Sequence, residues 1–232
     1  MKRITLSILP ALIICLTVLS AAAFAADLTL LFDKDMLKAG CAVLTAQATK
    51  TSTSPRIVTI GKTMTESDKY VLKKATNVMD LLKNKDWSAL SHLVHPKQGL
   101  TFSPYGYVDT SSAVCLKASD VSSLRTDKTV RTWGFYDGSG KPIKSTIDDY
   151  YGRFIMNRNF ASAPVIGIDR IIKSTVENNL YVFGNGCVYV DFHMPGSEPH
   201  PEHNWASLRL VFAGYNNNQL YLVAIVHDEW TI

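Results

Sequence analysis

The sequence is poor in cysteine, with four in 232 residues, and none of them stands in a C-x-x-C pair. Structural zinc sites and dithiol redox centres commonly use such pairs, so neither is predicted. Three cysteines, Cys41, Cys115 and Cys187, follow the N-terminal apolar run. This odd number leaves one disulfide and one thiol as the simplest arrangement, and the spacing favours no particular pair.

The sequence also lacks a strong excess of charge. The full chain has 24 basic and 20 acidic residues, and without Lys2 and Arg3 the net charge falls from +4 to +2. The basic residues are scattered and are not interleaved with aromatic residues as in a groove that follows a phosphate backbone. Nucleic acid is therefore not a predicted partner.

Motifs of familiar catalytic centres are missing as well. Ser103 and Ser207 have no G-x-S-x-G context, which disfavours a nucleophilic hydrolase. Residues 193–203 contain three histidines and Glu202, ligand types that suit zinc or copper in principle. Three prolines and the lack of an H-E-x-x-H spacing favour a solvated hairpin loop instead. No metal and no other cofactor is predicted.

The N-terminus has the pattern of a cleavable signal peptide. Lys2 and Arg3 precede an apolar run over residues 4–19, and small residues end in Ala23-Phe24-Ala25. A membrane anchor needs about 20 apolar residues and no cleavage site. Cys15 follows a large residue in mid-run, which disfavours a lipoprotein. We expect residues 1–25 to be removed and the mature chain, with no membrane segment, to be periplasmic or secreted.

Residues 26–62 are interpreted as an N-terminal extension and linker, and residues 63–232 as a single α+β domain. Thr65 and Asp68 predict a helix start, and apolar residues at 71, 75, 78 and 82 form one helical face. A second helix is predicted over residues 87–94, ending before Pro96. These two helices precede the strands, which is typical of α+β rather than alternating α/β proteins.

The remaining sequence is rich in β-branched and aromatic residues between turn residues. It predicts strands over residues 100–102, 130–136, 165–172, 187–193, 205–212 and 219–227, and a helix over residues 147–156 capped by Ser145 or Thr146. Phe102, Tyr105, Tyr107, Trp133, Phe135 and Tyr136 form an aromatic concentration. They are predicted either to pack in the core or to stack on a ligand in a concave site.

The last two strands predict a long hairpin with one apolar and one mixed face. A turn centred on Asn216 pairs Trp205 with His227 and Arg209 with Val223. The mixed face then contains Trp205, Ser207, Arg209, Val223, Ile225 and His227. The opposite face, which we expect to pack against helices, contains Ala206, Leu208, Leu210, Phe212, Leu222, Ala224 and Val226. A register slip of one residue would exchange these faces.

Several of these features occur together in one known superfamily. The helix pair breaks at residues 84–86, His95-Pro96 follows, and the final hairpin ends in His227-x-x-Trp230. In these features the chain resembles the nuclear transport factor 2-like (cystatin-like) superfamily. More narrowly, Phe102-Ser-Pro-Tyr105, Asp137-Gly-Ser-Gly140 and residues 222–232 resemble uncharacterised secreted bacterial proteins and lipoproteins with such domains. The resemblance covers roughly residues 67–232. It implies a strongly curved antiparallel sheet that wraps around the helices as a cone.

The superfamily includes isomerases, dehydratases, ligand binders and protein-binding scaffolds, so the resemblance implies fold more than function. The leading expectation is an exported binding domain for a small apolar ligand or a protein partner. The ligand-binding candidates are Trp205, Arg209, Tyr221, Tyr105 and Trp133. A dimerisation scaffold, and hence a homodimer, is a further possibility implied by the superfamily.

The alternative expectation is a lyase or isomerase with His227 as general base, because imidazole titrates near neutral pH. Arg209 or a tyrosine would anchor the substrate, since a guanidinium binds carboxylates bidentately. The sequence also allows structural roles for both residues: His227 bonded to backbone or to Asp228, and Arg209 as a solvent-facing strand residue.

Overall fold

The computed structural model describes residues 56–58, 63–217 and 219–231. The predicted signal peptide, Cys41 and most of the predicted linker lie outside these residues. The first described helix, α1 (Glu66–Lys83), begins where the sequence predicts it. The Asp68 backbone N–H donates to Thr65 Oγ1 at 3.1 Å, and the Thr65 N–H donates to Asp68 Oδ2 at 2.7 Å. This reciprocal cap satisfies two N–H groups at the helix start.

The second helix is shorter than predicted. Helix α2 (Trp87–Ser91) is capped by Asp86, whose side chain accepts from the Ala89 N–H at 2.9 Å. After it, Val94 bridges to Leu222, and the His95 N–H donates to the Leu222 carbonyl at 2.9 Å. The chain thus leaves the helix before Pro96 and joins the last strand.

The described residues contain nine strands, which together with the helices confirm the α+β class. Seven form one sheet, in the order β1-β6-β7-β8-β9-β2-β3, and two form a separate hairpin, β4-β5. The β1–β6 and β2–β9 pairs are parallel and the other pairs are antiparallel, so the sheet is mixed and not purely antiparallel as the resemblance implied. The strands are β1 Arg56–Val58, β2 Leu100–Ser103, β3 Val114–Leu116, β4 Arg131–Phe135, β5 Pro142–Ser145, β6 Val165–Ile168, β7 Val188–Met194, β8 Ala206–Tyr215 and β9 Gln219–Glu229.

Three short strands were not predicted from the sequence. β1 lies within the segment interpreted as linker, and β3 and β5 pair with predicted strands β2 and β4. Each has only three or four residues, too few for a recognisable alternation of polar and apolar side chains.

The remaining helical segments are short. Helix α3 (Ala118–Ser122) follows β3. The helix predicted over residues 147–156 exists as α4 (Ile147–Tyr150), continued by a π-helical turn, Tyr151–Ile155. Its predicted cap, Thr146, accepts from the Asp149 N–H at 3.3 Å. Single 3-10 turns occupy Phe160–Ser162 and Leu180–Phe183.

The seven-stranded sheet separates two apolar clusters. The larger one contains the buried faces of α1 and α2, Tyr150 and Phe154, and core-facing residues of β8 and β9. The smaller one lies on the other face of the hairpin and includes Val211, Ala224 and Val226. No helix within the described residues has the length and apolarity required to span a membrane.

Candidate functional site

The predicted mixed face of the final hairpin does not form, because the predicted register is wrong. His227 pairs with Leu208, Ile225 with Leu210, and Arg209 with Val226. The pair that closes the hairpin is Tyr215–Gln219, so the turn is centred one residue after Asn216. This change moves the pairing by two residues and would by itself preserve the predicted faces. A bulge between Val211 and Phe212 adds one residue and reverses them. His227 and Arg209 therefore lie on opposite faces of the sheet.

His227 lies on the core face of β9 and is only 1% exposed. Its Nδ1 lies 3.1 Å from the Pro104 carbonyl oxygen, and its Nε2 lies 3.1 Å from Asn157 Nδ2. Because a carbonyl can only accept, Nδ1 carries the proton and Nε2 accepts from the amide. Burial lowers the pKa of His227 to about 4. Both ring nitrogens thus have protein partners, as expected of a structural histidine.

Arg209 also binds groups of its own protein. Its Nη2 donates to Asp228 Oδ2 at 2.6 Å and to the Lys173 carbonyl at 2.9 Å, and its Nε donates to Asp191 Oδ2 at 3.4 Å. The three charged side chains, here named the buried arginine cluster, are each at most 2% exposed. Asp191 Oδ1 is buried without a hydrogen-bond partner. The cluster therefore combines one buried cation with two carboxyl groups.

Two further candidates occupy separate environments. Trp205 is 1% exposed, and Lys173 Nζ lies 5.4 Å from the centre of its ring. Tyr221 is half-buried in an aromatic group with His95 and Tyr215, with ring centroids 6.2 Å away in each case. The structure does not bring Trp205, Arg209 and Tyr221 together at one cavity in the described part of the chain.

The remaining two candidates, Tyr105 and Trp133, do meet at a cavity. It has a volume of about 130 Å³ and lies between the segment after β2 and strand β4. We call it the aromatic cleft. It is lined by Ser103, Pro104, Tyr105, Tyr107, Asp109, Ser112, Ala113, Trp133, Gly134 and Phe135.

The inner wall of the cleft is rigid. Trp133 is fully buried, stacks on Tyr150 with centroids 4.3 Å apart, and donates from Nε1 to the Ser145 carbonyl at 3.0 Å. Gly134 has a φ of +131°, a value that favours glycine. A Cβ at Gly134 would lie 3.2 Å from Pro104 Cγ, so this glycine lets β4 approach the opposite wall closely.

The outer wall is aromatic and exposed. Tyr107 is 57% exposed and Phe135 is 49% exposed, whereas Tyr105 is half-buried against Phe154. Burial raises the pKa of the Tyr105 phenol, which therefore stays neutral. The aromatic concentration seen in the sequence thus divides between core and cleft, with Phe102 in the core.

The only charged side chain in the described lining of the cleft is Asp109. Its Oδ1 accepts from the Ser111 N–H at 3.0 Å and from Ser111 Oγ at 2.6 Å. Its Oδ2 accepts from Ser112 Oγ at 2.6 Å. These hydroxyl groups, Ser111 first, lower the pKa of Asp109, so the carboxylate is ionised at neutral pH.

The segment 104–107 has the cleft on one side and buried polar groups on the other. His227 donates to the carbonyl of Pro104, and Ser103 Oγ donates to that of Tyr105 at 2.8 Å. Gly106 packs on the buried arginine cluster, where an added Cβ would lie 2.6 Å from Asp228 Oδ2. The buried groups therefore fix the backbone that carries Tyr105 and Tyr107.

Gly106→Ala is expected to lower the free energy of unfolding by about 1–3 kcal/mol, because the added methyl group overpacks a buried ion pair. Urea unfolding followed by tryptophan fluorescence measures this change. Gly152→Ala is the control, since nothing lies within 4 Å of its added Cβ, and it should be neutral or stabilising. Equal stability of the two variants would contradict the packing of Gly106 on Asp228.

The histidine-rich loop and the cysteines have ordinary structural partners. Glu202 pairs with Lys173 at 2.6 Å, and His193 Nδ1 lies 2.9 Å from Ser207 Oγ. Within the described residues, no group of three potential ligands is arranged to hold a metal. Cys115 and Cys187 are free thiols. Of the three disulfides that the sequence allows, Cys115–Cys187 is therefore not formed.

Comparison with known proteins identifies neither a family nor a relative for this chain. A scan against protein-family models finds none that matches the chain. A search of curated proteins likewise finds no match.

Proposed function

We propose that this chain is an exported binding domain whose aromatic cleft receives a small ligand or a side-chain-sized group of a larger partner. The observation that carries the proposal is the cleft itself: two predicted ligand-binding residues, Tyr105 and Trp133, line one cavity together with exposed Tyr107 and Phe135. Ligand sites are typically concave, mostly apolar, and furnished with a few polar groups.

The volume of the cleft limits what it can hold. Its 130 Å³ is close to the ~150 Å³ of an apolar cavity that takes one benzene molecule. A group of about six non-hydrogen atoms therefore fits, whereas a larger ligand would bind through one end and extend into solvent.

Export and superfamily membership belong to the same proposal. The N-terminal sequence supports export, and a periplasmic or secreted location follows from it. The helix pair α1 and α2, broken at residues 84–86, and the terminal hairpin β8-β9 support the resemblance to the nuclear transport factor 2-like superfamily. A strongly curved, cone-shaped sheet is the finer part of that resemblance.

Binding is favoured over lyase or isomerase chemistry by the residues that line the cleft. The described lining includes one carboxylate and no histidine, lysine or arginine. His227, the candidate general base, is bonded to Pro104 and Asn157 behind the wall. A general base must reach the proton that it removes, and the buried ring is directed to protein groups instead.

Binding can be mapped by titrating the mature protein with a set of small aromatic, cationic, anionic and sugar compounds. We expect at least one class to shift the backbone amide NMR signals of Gly106 and Gly134 and the Trp133 indole signal. A double variant, Tyr107→Ser with Phe135→Ser, should weaken binding by about tenfold or more, because exposed aromatic faces supply most of the contact area.

Tyr181→Ser is the matched control, since Tyr181 is 72% exposed and does not line the cleft. It should leave both binding and the circular dichroism spectrum unchanged. The proposal is wrong if no compound class shifts the cleft signals, or if ligands shift only residues around Trp205 and Tyr221.

A further inference from the structure

We infer that the aromatic cleft recognises an organic cation, of the size of a trimethylammonium or guanidinium group. This inference rests on the proposed function and names the chemical class of its ligand. It is carried by the combination of aromatic faces with a single carboxylate around a cavity of about 130 Å³.

The charge of the lining has one sign. Asp109 contributes a carboxylate, and the described lining contains no cationic side chain that would neutralise it. The hydroxyl groups of Ser111 and Ser112 hold its two oxygens in place. Oδ1 already accepts two hydrogen bonds from Ser111, whereas Oδ2 accepts one from Ser112 and retains a lone pair for a ligand. An anionic ligand would be repelled here, and a cation would be attracted.

The aromatic residues of the cleft also favour a cationic ligand. A cation over the face of a tyrosine or phenylalanine is attracted by the negative centre of the ring, and recognition of quaternary ammonium groups commonly uses several such rings. Tyr105, Tyr107 and Phe135 line the cleft, and the latter two keep about half of their surface exposed to a ligand.

Among the described residues, no basic side chain lines the cleft. Arg131 is the nearest basic residue on β4, and its guanidinium lies 5.9 Å from the Trp133 ring. It is paired with Asp127, with Nη2 and Oδ2 2.6 Å apart, and it does not line the cleft. The carboxylate of Asp109 is thus available to a ligand.

Choline and its uncharged carbon isostere, in which a tert-butyl group replaces the trimethylammonium group, test the inference directly. The two molecules have nearly the same shape, so only the charge differs. We expect choline to shift the amide signals of Gly106 and Gly134 with an affinity on the order of tenfold higher than that of the isostere. Raising the salt concentration should reduce this preference, because the carboxylate is solvent-exposed.

Asp109→Asn should abolish most of the preference for choline. Asparagine keeps an oxygen that can accept from the Ser111 N–H, so the turn is preserved. Asp120→Asn is the matched control: Asp120 is also exposed, also accepts from a backbone N–H, and lies outside the lining. It should retain the full preference for choline.

The outcomes separate this inference from the proposed function. Binding of the uncharged isostere at the cleft with equal or higher affinity overturns the cationic ligand and leaves the binding site intact. Absence of cleft shifts with every compound class overturns both. Equal effects of the Asp109 and Asp120 substitutions overturn the role of the carboxylate.

Discussion

Arg209→Met is expected to lower the free energy of unfolding by about 3–5 kcal/mol, the largest effect of any single substitution considered for this protein. The guanidinium is the positive partner of Asp191 and Asp228, and all three side chains are removed from water. Removing one partner of a buried ion pair leaves uncompensated buried charge, which is strongly destabilising. Urea unfolding at neutral pH measures the loss.

Two comparisons identify the cause of this loss. Arg125→Met, at an exposed arginine, should change stability by no more than about 0.5 kcal/mol. Adding Asp191→Asn and Asp228→Asn to Arg209→Met should restore part of the lost stability, because the carboxylates are replaced by neutral amides of similar shape. If the triple variant is less stable than Arg209→Met alone, charge compensation is not what Arg209 supplies.

Acidification is expected to remove about 3 kcal/mol of stability through His227 alone. The folded-state pKa is about 4, below the ordinary value of 6.5, so the unfolded chain binds more protons between these two values. The stabilisation is complete above about pH 6.5 and is lost as the pH falls towards 4. Burial also lowers the pKa of His193 and of His95, which adds to the loss in the same direction.

The contribution of His227 is isolated by His227→Gln, since an amide does not titrate and can still donate to Pro104. The variant should show a smaller loss of stability between pH 6.5 and pH 4 than the natural protein. His200→Gln, at an exposed histidine of the 193–203 loop, should leave the pH dependence unchanged. An unaltered profile in His227→Gln would show that folding does not lower the pKa of His227.

Most secondary structure could be predicted because its signals are local. The Thr65–Asp68 cap and the apolar spacing define α1 within a few residues. The six strands that were predicted are β-branched or aromatic runs bounded by turn residues, which is a signal of short range. The π-helical turn after α4 was not predicted, because it keeps nearly the same buried face as an α-helix of that sequence.

The arrangement of the final hairpin could not be predicted to the same degree. Its turn could be located within one residue, and Leu208 and Leu210 were placed correctly on the core face. The extra residue of the bulge is Val223 in β9, opposite Val211 and Phe212, and its residue type gives no signal of a bulge, yet it determines which side of β9 faces the helices. One extra residue in one strand therefore separated His227 from Arg209 and removed the predicted shared face.

The cleft was predicted only in part for a different reason. Tyr105 and Trp133 belong to two hairpins that are distant in sequence, and no local pattern shows that these hairpins meet. Asp109 was not recognised as a site residue, although Asp109 followed by Ser111 and Ser112 is a common turn signature. Its position beside aromatic residues is set by the tertiary fold, which the local sequence does not indicate.

The 104–107 segment is anchored through main-chain atoms and through the missing side chain of Gly106. Anchors of this kind do not depend on which side chains project into the cleft. Residues 105 and 107 can therefore be exchanged in descendants of this chain while the path of the backbone persists. Divergence at these two positions should change which molecule is recognised long before it affects whether the polypeptide folds.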